Sequence, residues 1–183
     1  MLSYPNDEKY RITKSETYCQ ALIYTSMSRK YNTTPTFLSE NHAEVYLLED
    51  FYTEEELSYI QSISYEKESK FNLPYRDSSA YALIDFLYGK HSGINSHRLS
   101  FTPLGMSYPL HYDKNKLLSC IIYIGESGNG TIFYDRNREN PIEIPWKHNC
   151  GYYFYPSMHH GHEYANKSSE MRTVSLINVW KSG

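Results

Sequence analysis

The chain has 183 residues, of which 40% are hydrophobic and 21% charged, with a formal net charge of −3 at pH 7. This length favours one domain over two, and the mild negative charge argues against a nucleic-acid or anionic-membrane partner. The three cysteines lack a disulfide spacing, the first residues contain no apolar signal segment, and no apolar run approaches the ~18 residues that cross a bilayer. We therefore expect a cytoplasmic protein with reduced thiols.

The predicted elements begin after a polar stretch. Residues 1–43 are rich in Ser, Thr, Asn and Tyr, and we interpret them as an extension of a single domain formed by residues 44–183. Apolar residues over 45–48 predict a strand. Thr53, followed three residues later by Glu56, has the capping-box pattern that opens a helix. Apolar residues then recur at helical spacing and should face the core: Leu57, Ile60 and Ile63.

The pattern changes from helical to β-like along the chain. Residues 66–96 are interpreted as helix and loop, with residues 81–87 as their strongest apolar segment. Short β-like runs separated by turn residues follow, at Arg98–Thr102, Tyr108–Tyr112, Leu117–Ile124, Thr131–Tyr134, Pro141–Trp146, Gly151–Tyr155 and Arg172–Trp180. Twenty tyrosines also favour strands. Short strands at near-regular spacing after a helical start predict a β-sandwich or barrel with helices on one side.

His111 and Asp113 stand two residues apart at a predicted strand end. Because residues i and i+2 of a strand point to the same face, the imidazole and the carboxylate should lie together. A second histidine would complete a 2-His-1-carboxylate triad, which leaves adjacent positions open on Fe(II). Three histidines downstream are candidates for it: His159, His160 and His162. The alternative is a surface hydrogen-bonded pair.

Arg172 opens the last predicted strand, whose alternate residues share one face: Arg172, Val174, Leu176, Asn178 and Trp180. An arginine on an otherwise apolar inward face is costly to bury unless it meets an anion. The planar guanidinium suits a carboxylate, so a dicarboxylic cosubstrate would satisfy it. A solvent-exposed arginine at the strand end is the alternative.

These motifs occur in a recognisable order along the chain. His-x-Asp is followed by a strand over 120–124, a Gly-Asn-Gly-Thr turn, the segment GYYFYP, His162-Glu163-Tyr164, and Arg172 ten residues after His162. Upstream lies VYLLEDFYTEEELSYI. The ordered set resembles the Fe(II)/2-oxoglutarate-dependent dioxygenases, in particular the prolyl-4-hydroxylase-like branch. It covers roughly residues 44–180. The resemblance implies a mainly β fold with flanking helices, a cupin-like double-stranded β-helix (jelly roll).

The resemblance also assigns roles to individual residues. It implies that Fe(II) is held by His111, Asp113 and His162. It further implies that Arg172 binds the far carboxylate of 2-oxoglutarate with help from the Tyr123 hydroxyl, and that Tyr108 lies near the cosubstrate or substrate.

Four further positions bear on these roles. Relatives carry a serine two residues after the arginine, where this chain has Val174, which favours Tyr123 as the helper. Phe101 occupies a position where relatives tend to carry another tyrosine. For His160 and His97, the sequence leaves open whether each supports a metal ligand or contacts the substrate.

The reaction implied is the hydroxylation of a C–H bond, with O2 consumed and 2-oxoglutarate decarboxylated to succinate. Asp113 stands where halogenating relatives have a small residue, so halogenation is not expected. The substrate is expected to be a small molecule or a peptide: a prolyl residue first, a free amino acid or small metabolite as the alternative, with no nucleic acid. A cupin-like metal protein that does not use 2-oxoglutarate and a non-catalytic β-barrel binding module are the rival hypotheses.

Overall fold

A computed structural model gives the fold. The residues it describes are 31, 33–36, 38, 41–63, 70–73, 78–88, 96–113, 115–157, 161–165 and 171–180. The chain divides into two compact units, Met1–Tyr31 and Asn32–Gly183, and the helices and strands described belong to the second. Thr36 pairs with Val45, and His42 Nε2 lies 2.7 Å from the Asn140 carbonyl oxygen. The assignment of residues 1–43 as an extension stays a prediction.

Ten strands and two helices are formed by the described residues. In chain order they are β1 (Val45–Leu48), α1 (Glu54–Gln61), β2 (Lys70–Asn72), α2 (Ser78–Tyr88), β3 (Ser96–Thr102), β4 (Ser107–His111), β5 (Lys116–Tyr123), β6 (Thr131–Phe133), β7 (Ile142–Ile144), β8 (Gly151–Phe154), β9 (His162–Ala165) and β10 (Arg172–Trp180). The seven strands predicted after residue 97 are present, with ends that differ by at most two residues. The short strands β2 and β9 were not predicted.

The strands form two antiparallel sheets. The large sheet has the order β1-β8-β5-β10-β3-β2, and the small sheet has the order β4-β9-β6-β7. One apolar core joins them, since Tyr123, Tyr152 and Val174 of the large sheet belong to the same buried cluster as Phe133 and Ile144 of the small sheet. The predicted jelly roll is confirmed.

The face of the large sheet that packs on this core is called the inner face here, and the opposite one the outer face. Val174 pairs with Tyr123, Leu176 with Ile121 and Asn178 with Ser119, and residues paired directly in an antiparallel sheet point the same way. Arg172, Val174, Leu176 and Asn178 therefore share the inner face, as predicted. A register shift between Val179 and Trp180 ends the alternation, and Trp180 is 40% exposed.

Helix α1 begins as its sequence predicts. The Thr53 side chain accepts a hydrogen bond from the Glu56 backbone, and the Glu56 carboxylate accepts one from the Thr53 backbone at 2.8 Å. Glu56 also accepts hydrogen bonds from the backbone and hydroxyl of Ser79 at the start of α2. One capping residue thus joins both helices. Neither helix in the described part of the chain has the length and apolar character needed to span a membrane.

Candidate metal centre

Two histidines and an aspartate from three segments converge beside the core. His111 ends β4, His162 begins β9, and the two residues pair directly across the small sheet. Asp113 lies just beyond β4, in the turn before β5. The nitrogen and oxygen atoms that these three residues can offer to a metal lie within 4.8 Å of one another. Among the described residues, this is the cluster that can hold a metal ion.

The two imidazoles are held differently. His111 Nδ1 lies 2.9 Å from the Pro109 carbonyl oxygen, which favours a proton on Nδ1 and leaves Nε2 with its lone pair. His162 is 3% exposed, and its ring packs against Phe133 and Phe154. Burial, followed by the nearby His111, lowers the pKa of His162 from 6.5 to about 3. Both rings are therefore suited to act as neutral nitrogen ligands.

Asp113 is ionised at neutral pH. Burial raises the pKa of its carboxyl group, but hydrogen bonding and charge from Lys116 outweigh it, together with His162 and the Ser119 hydroxyl, so the net shift is downward. Lys116 Nζ lies 2.7 Å from Asp113 Oδ2, and Ser119 Oγ lies 3.0 Å from the same oxygen. These contacts hold the carboxylate in one orientation facing His162, whose Nε2 is 3.9 Å away.

Arg172 is fully buried on the inner face, so the alternative of an exposed arginine is wrong. Its Nε donates to the Asn129 carbonyl oxygen at 3.1 Å, and its Nη2 donates to Thr131 Oγ1 at 3.3 Å. The guanidinium carbon lies 5.9 Å from the Tyr123 ring centroid and 5.7 Å from that of Trp146. The buried cation is thus held in place by a carbonyl, a hydroxyl and two aromatic rings.

The Tyr123 hydroxyl belongs to the same group. It lies 3.3 Å from Thr131 Oγ1 and 3.2 Å from the Ile144 carbonyl oxygen. Burial raises the pKa of Tyr123, so the phenol keeps its proton at neutral pH. Tyr123 and Arg172 therefore meet at one threonine hydroxyl, and both present donors to the inner face.

The Gly-Asn-Gly turn lies so close to Trp146 and β7 that it makes this arrangement of Arg172 and Tyr123 possible. A Cβ on Gly128 would lie 2.7 Å from the Trp146 ring, and a Cβ on Gly130 would lie 1.8 Å from the Ile144 carbonyl oxygen. Both positions exclude any larger side chain. The turn therefore lies flat against Trp146 and β7, which brings the Asn129 carbonyl within reach of Arg172.

Four residues that support the site were not predicted from the sequence. Thr131 and Trp146 hold Arg172 and Tyr123, and Lys116 and Ser119 hold Asp113. Thr131 had a detectable signal, because it alternates with the inward-facing Phe133. Trp146 had no such signal. It follows the short edge strand β7 and contacts Tyr123, which is distant in sequence, only in the folded chain.

The remaining predicted positions are placed as follows. Tyr108 is 41% exposed, with its ring 6.2 Å from that of His111, which places it beside the metal cluster. Thr102, not Phe101, pairs with Arg172 and so shares its face, while Phe101 pairs with Thr173. His97 is bonded to Tyr52 and Ser175 on the outer face. His159 and His160 lie outside the described residues.

Three solved structures share this arrangement of strands. A viral collagen prolyl hydroxylase from Paramecium bursaria Chlorella virus-1, in complex with 2-oxoglutarate, matches with a TM-score of 0.55 at 15% identity, covering 75% of this chain and 96% of its own. A Pseudomonas putida prolyl-4-hydroxylase matches with a TM-score of 0.51 at 15% identity, covering 82% and 98%.

A third structure, a 2-oxoglutarate–Fe(II) oxygenase-family oxidoreductase from Burkholderia pseudomallei, matches with a TM-score of 0.52 at 12% identity, covering 73% of this chain and 82% of its own. The fold is that of the 2-oxoglutarate–Fe(II) oxygenases. No protein-family model matches the sequence, and no curated protein is similar enough in sequence to match. The resemblance seen in the motifs is confirmed at the level of the fold.

Proposed function

We propose that the protein is an Fe(II)- and 2-oxoglutarate-dependent oxygenase that hydroxylates a C–H bond. The observation that carries this proposal is the convergence of His111, Asp113 and His162 over a sheet whose inner face also buries Arg172. The overall reaction consumes 2-oxoglutarate, O2 and the substrate R–H, and releases succinate, CO2 and R–OH. Of the two oxygen atoms of O2, one ends in succinate and the other in the hydroxyl group of R–OH.

The three converging side chains fit an iron ion. Two neutral imidazoles and one carboxylate are the donor set of the facial triad. His162 Nε2 lies 3.9 Å from Asp113 Oδ2, and the donor atoms of the three residues lie within 4.8 Å of one another. The Pro109 carbonyl and Lys116 hold the other two ligands from outside the cluster, as the supporting partners of metal ligands do.

The Arg172 end of the inner face fits a dicarboxylate. A fully buried guanidinium beside a protonated Tyr123 hydroxyl offers several donors and a fixed positive charge to the far carboxylate of 2-oxoglutarate. A cupin-like protein that does not use 2-oxoglutarate would have no need of this buried cation. Iron with 2-oxoglutarate would supply the activation of O2; the chain supplies orientation and a shielded site.

The aromatic residues keep the site dry. Phe133 and Phe154 cover His162, and Trp146 stacks on Tyr123 at a centroid distance of 4.5 Å. A water-poor wall strengthens the interaction of Arg172 with an anion and limits side reactions. The open side of the cluster is at Tyr108 and His111, which are both more exposed than His162. Substrate is expected to enter there.

A prolyl residue of a peptide or protein is the first substrate candidate. Two of the three structures described above are named prolyl hydroxylases. A free amino acid or small metabolite is the second candidate, because likeness of fold does not fix the substrate. Both candidates require the same C–H hydroxylation.

The deciding experiment follows succinate formation while Fe(II) and 2-oxoglutarate are titrated. Slow uncoupled turnover without substrate is expected for the wild type. His111→Ala should lose iron binding and reduce turnover by more than about 100-fold, since even outer partners of metal ligands contribute 10- to 100-fold. His148→Ala is the matched control, because His148 lies 3.3 Å from the Gly125 carbonyl oxygen, outside the cluster. Equal turnover in both variants, or no iron-dependent succinate at all, would refute the proposal.

A further inference from the structure

Arg98 is a second arginine on the inner face, in the strand beside β10. It pairs directly with Leu176 and therefore points to the same side as Leu176, Asn178 and Arg172. The Arg98 side chain as a whole is partly exposed, while its Nε atom is buried. Part of the side chain is thus accessible to a solute. The proposed function gives it no role.

Arg98 pairs with the middle residue of β10, two residues from Asn178, which lies near the candidate metal centre. Ser119 Oγ is 3.0 Å from Asp113 Oδ2 and 3.1 Å from Asn178 Oδ1, so Asn178 is joined to the metal cluster through one hydroxyl. Arg98 lies on the strand next to that of Asn178, displaced by two residues along the strand. Ideal sheet spacings put their Cα atoms about 8 Å apart, a distance that an arginine side chain spans. Arg172 lies four residues from Leu176 along β10, on the side away from Asn178.

Two buried donors lie on the inner face in this part of the sheet. Within the part of the chain that the structure describes, Arg98 Nε and Asn178 Nδ2 have no hydrogen-bond partner. Asn178 is 2% exposed, and its oxygen is already engaged with Ser119, which leaves the amide nitrogen to donate. Buried donors are costly unless an acceptor from water or a ligand meets them. A guanidinium and an amide on the same face suit the two oxygens of a carboxylate.

We propose that Arg98 and Asn178 bind a carboxylate group of the substrate, next to the metal centre. This inference rests on the proposed function and narrows its substrate class. Arg172 is assigned to the cosubstrate at the far end of the face, so the two arginines bind different carboxylates. Free amino acids, small organic acids and the C-terminal residue of a peptide carry such a group. An internal prolyl residue does not.

The first test measures anion binding without iron. In the full chain, the Nε–H resonance of Arg98 is assigned by its absence from the spectrum of Arg98→Gln, and the wild type is titrated with sodium acetate or acetamide. Acetate should shift this resonance in a saturable way, and acetamide should not. A resonance that stays unchanged with acetate overturns the inference.

The second test compares acids with their amides. Substrate-stimulated succinate formation is measured with the free amino acids and their carboxamides, and with one peptide pool bearing free or amidated C-termini. Either the free amino acids or the peptides with free C-termini should stimulate succinate formation about 10- to 100-fold more than their amides. This is the range expected for a hydrogen bond to a charged group. Arg98→Gln should abolish the preference. Lys147→Gln removes one exposed cation that pairs with Glu49 and should behave as the wild type.

The outcomes separate the two proposals. Stimulation restricted to free amino acids identifies a small-molecule substrate, and stimulation restricted to free C-termini identifies a peptide. Equal use of acids and amides, stimulation by neither pool, or a preference that survives in Arg98→Gln overturns the inference. If the wild type forms no succinate at all, the proposed function fails, and the acetate titration alone decides whether Arg98 forms an anion site.

Discussion

The two faces of the large sheet bury polar side chains in opposite ways. On the outer face, Tyr52, His97 and Ser175 satisfy one another: the Tyr52 hydroxyl lies 2.6 Å from Ser175 Oγ and 3.1 Å from His97 Nε2, which is itself 3.1 Å from Ser175 Oγ. On the inner face, Arg98 Nε and Asn178 Nδ2 are among the buried polar atoms that have no hydrogen-bond partner in the described part of the chain. A closed network is typical of a structural role, and open donors indicate ligands.

Substitutions should therefore act differently on the two faces. A polar residue of the outer face should contribute to the free energy of unfolding and not to turnover. A polar residue of the inner face should contribute mainly to ligand binding, because it lines the proposed site. Four predictions test this contrast.

The largest effect is expected at Arg172 on the inner face. Arg172→Met removes the donors to the far carboxylate of 2-oxoglutarate, and KM for 2-oxoglutarate should rise about 1,000-fold, or about 4 kcal/mol for two charge-assisted hydrogen bonds. The urea midpoint should not fall, because replacing a buried charge by an apolar group of similar length is often neutral or stabilising. Succinate kinetics and urea denaturation measure both quantities. A large loss of stability with an unchanged KM would make Arg172 structural.

The second effect is the pH dependence of stability caused by His97 on the outer face. Burial lowers the pKa of His97 from 6.5 to about 4. The unfolded chain binds the proton more tightly, so this residue destabilises the fold as the pH falls from 6.5 to 4, and its contribution to stability is complete above pH 6.5. The loss amounts to about 3 kcal/mol.

The difference between wild type and His97→Gln isolates this contribution from that of the carboxylates. Urea denaturation of both proteins from pH 7.5 to 4.5 should show a difference in unfolding free energy that changes steadily below pH 6.5. Parallel curves for the two proteins would contradict the assignment of His97 as a buried neutral histidine.

The fold was largely predictable from the sequence, and the site only in part. Alternating strands, the Thr53–Glu56 cap and the ordered motifs are local signals, and each led to the element that the structure has. The strand β2 was missed because three residues are too short for a period to be read. Thr131 and Trp146 were missed because their role depends on strands that are distant in sequence.

The register of paired strands is the other quantity that a single sequence does not provide. Phe101 and Thr102 are adjacent, and a shift of one residue exchanges the face to which each points. Pairing of Thr102 with Arg172 decides which of them lies beside the proposed cosubstrate. For the same reason the sequence did not show to which face Arg98 points. Its pairing with Leu176 places it on the inner face.

The third effect is expected at Tyr52, which forms the hub of the outer network. Tyr52→Phe keeps the ring packed against Phe51 and removes the hydroxyl that His97 and Ser175 share. Leaving these buried groups with one partner fewer should reduce the free energy of unfolding by about 2 kcal/mol. KM for 2-oxoglutarate should stay at the wild-type value. A change in KM without a change in stability would reverse the proposed roles of the two faces.

The smallest effect is expected at Tyr123 on the inner face. Tyr123→Phe removes one neutral hydrogen bond to the proposed cosubstrate, and KM for 2-oxoglutarate should rise about 10-fold, well below the change for Arg172→Met. The Trp146 stacking is kept, and Thr131 still accepts a hydrogen bond from Arg172, so the urea midpoint should change little. The double variant with Arg172→Met tests whether the two donors act on one carboxylate. If they do, losing the hydroxyl should matter less once the guanidinium is gone, whereas fully additive effects on KM would place Tyr123 on a different group.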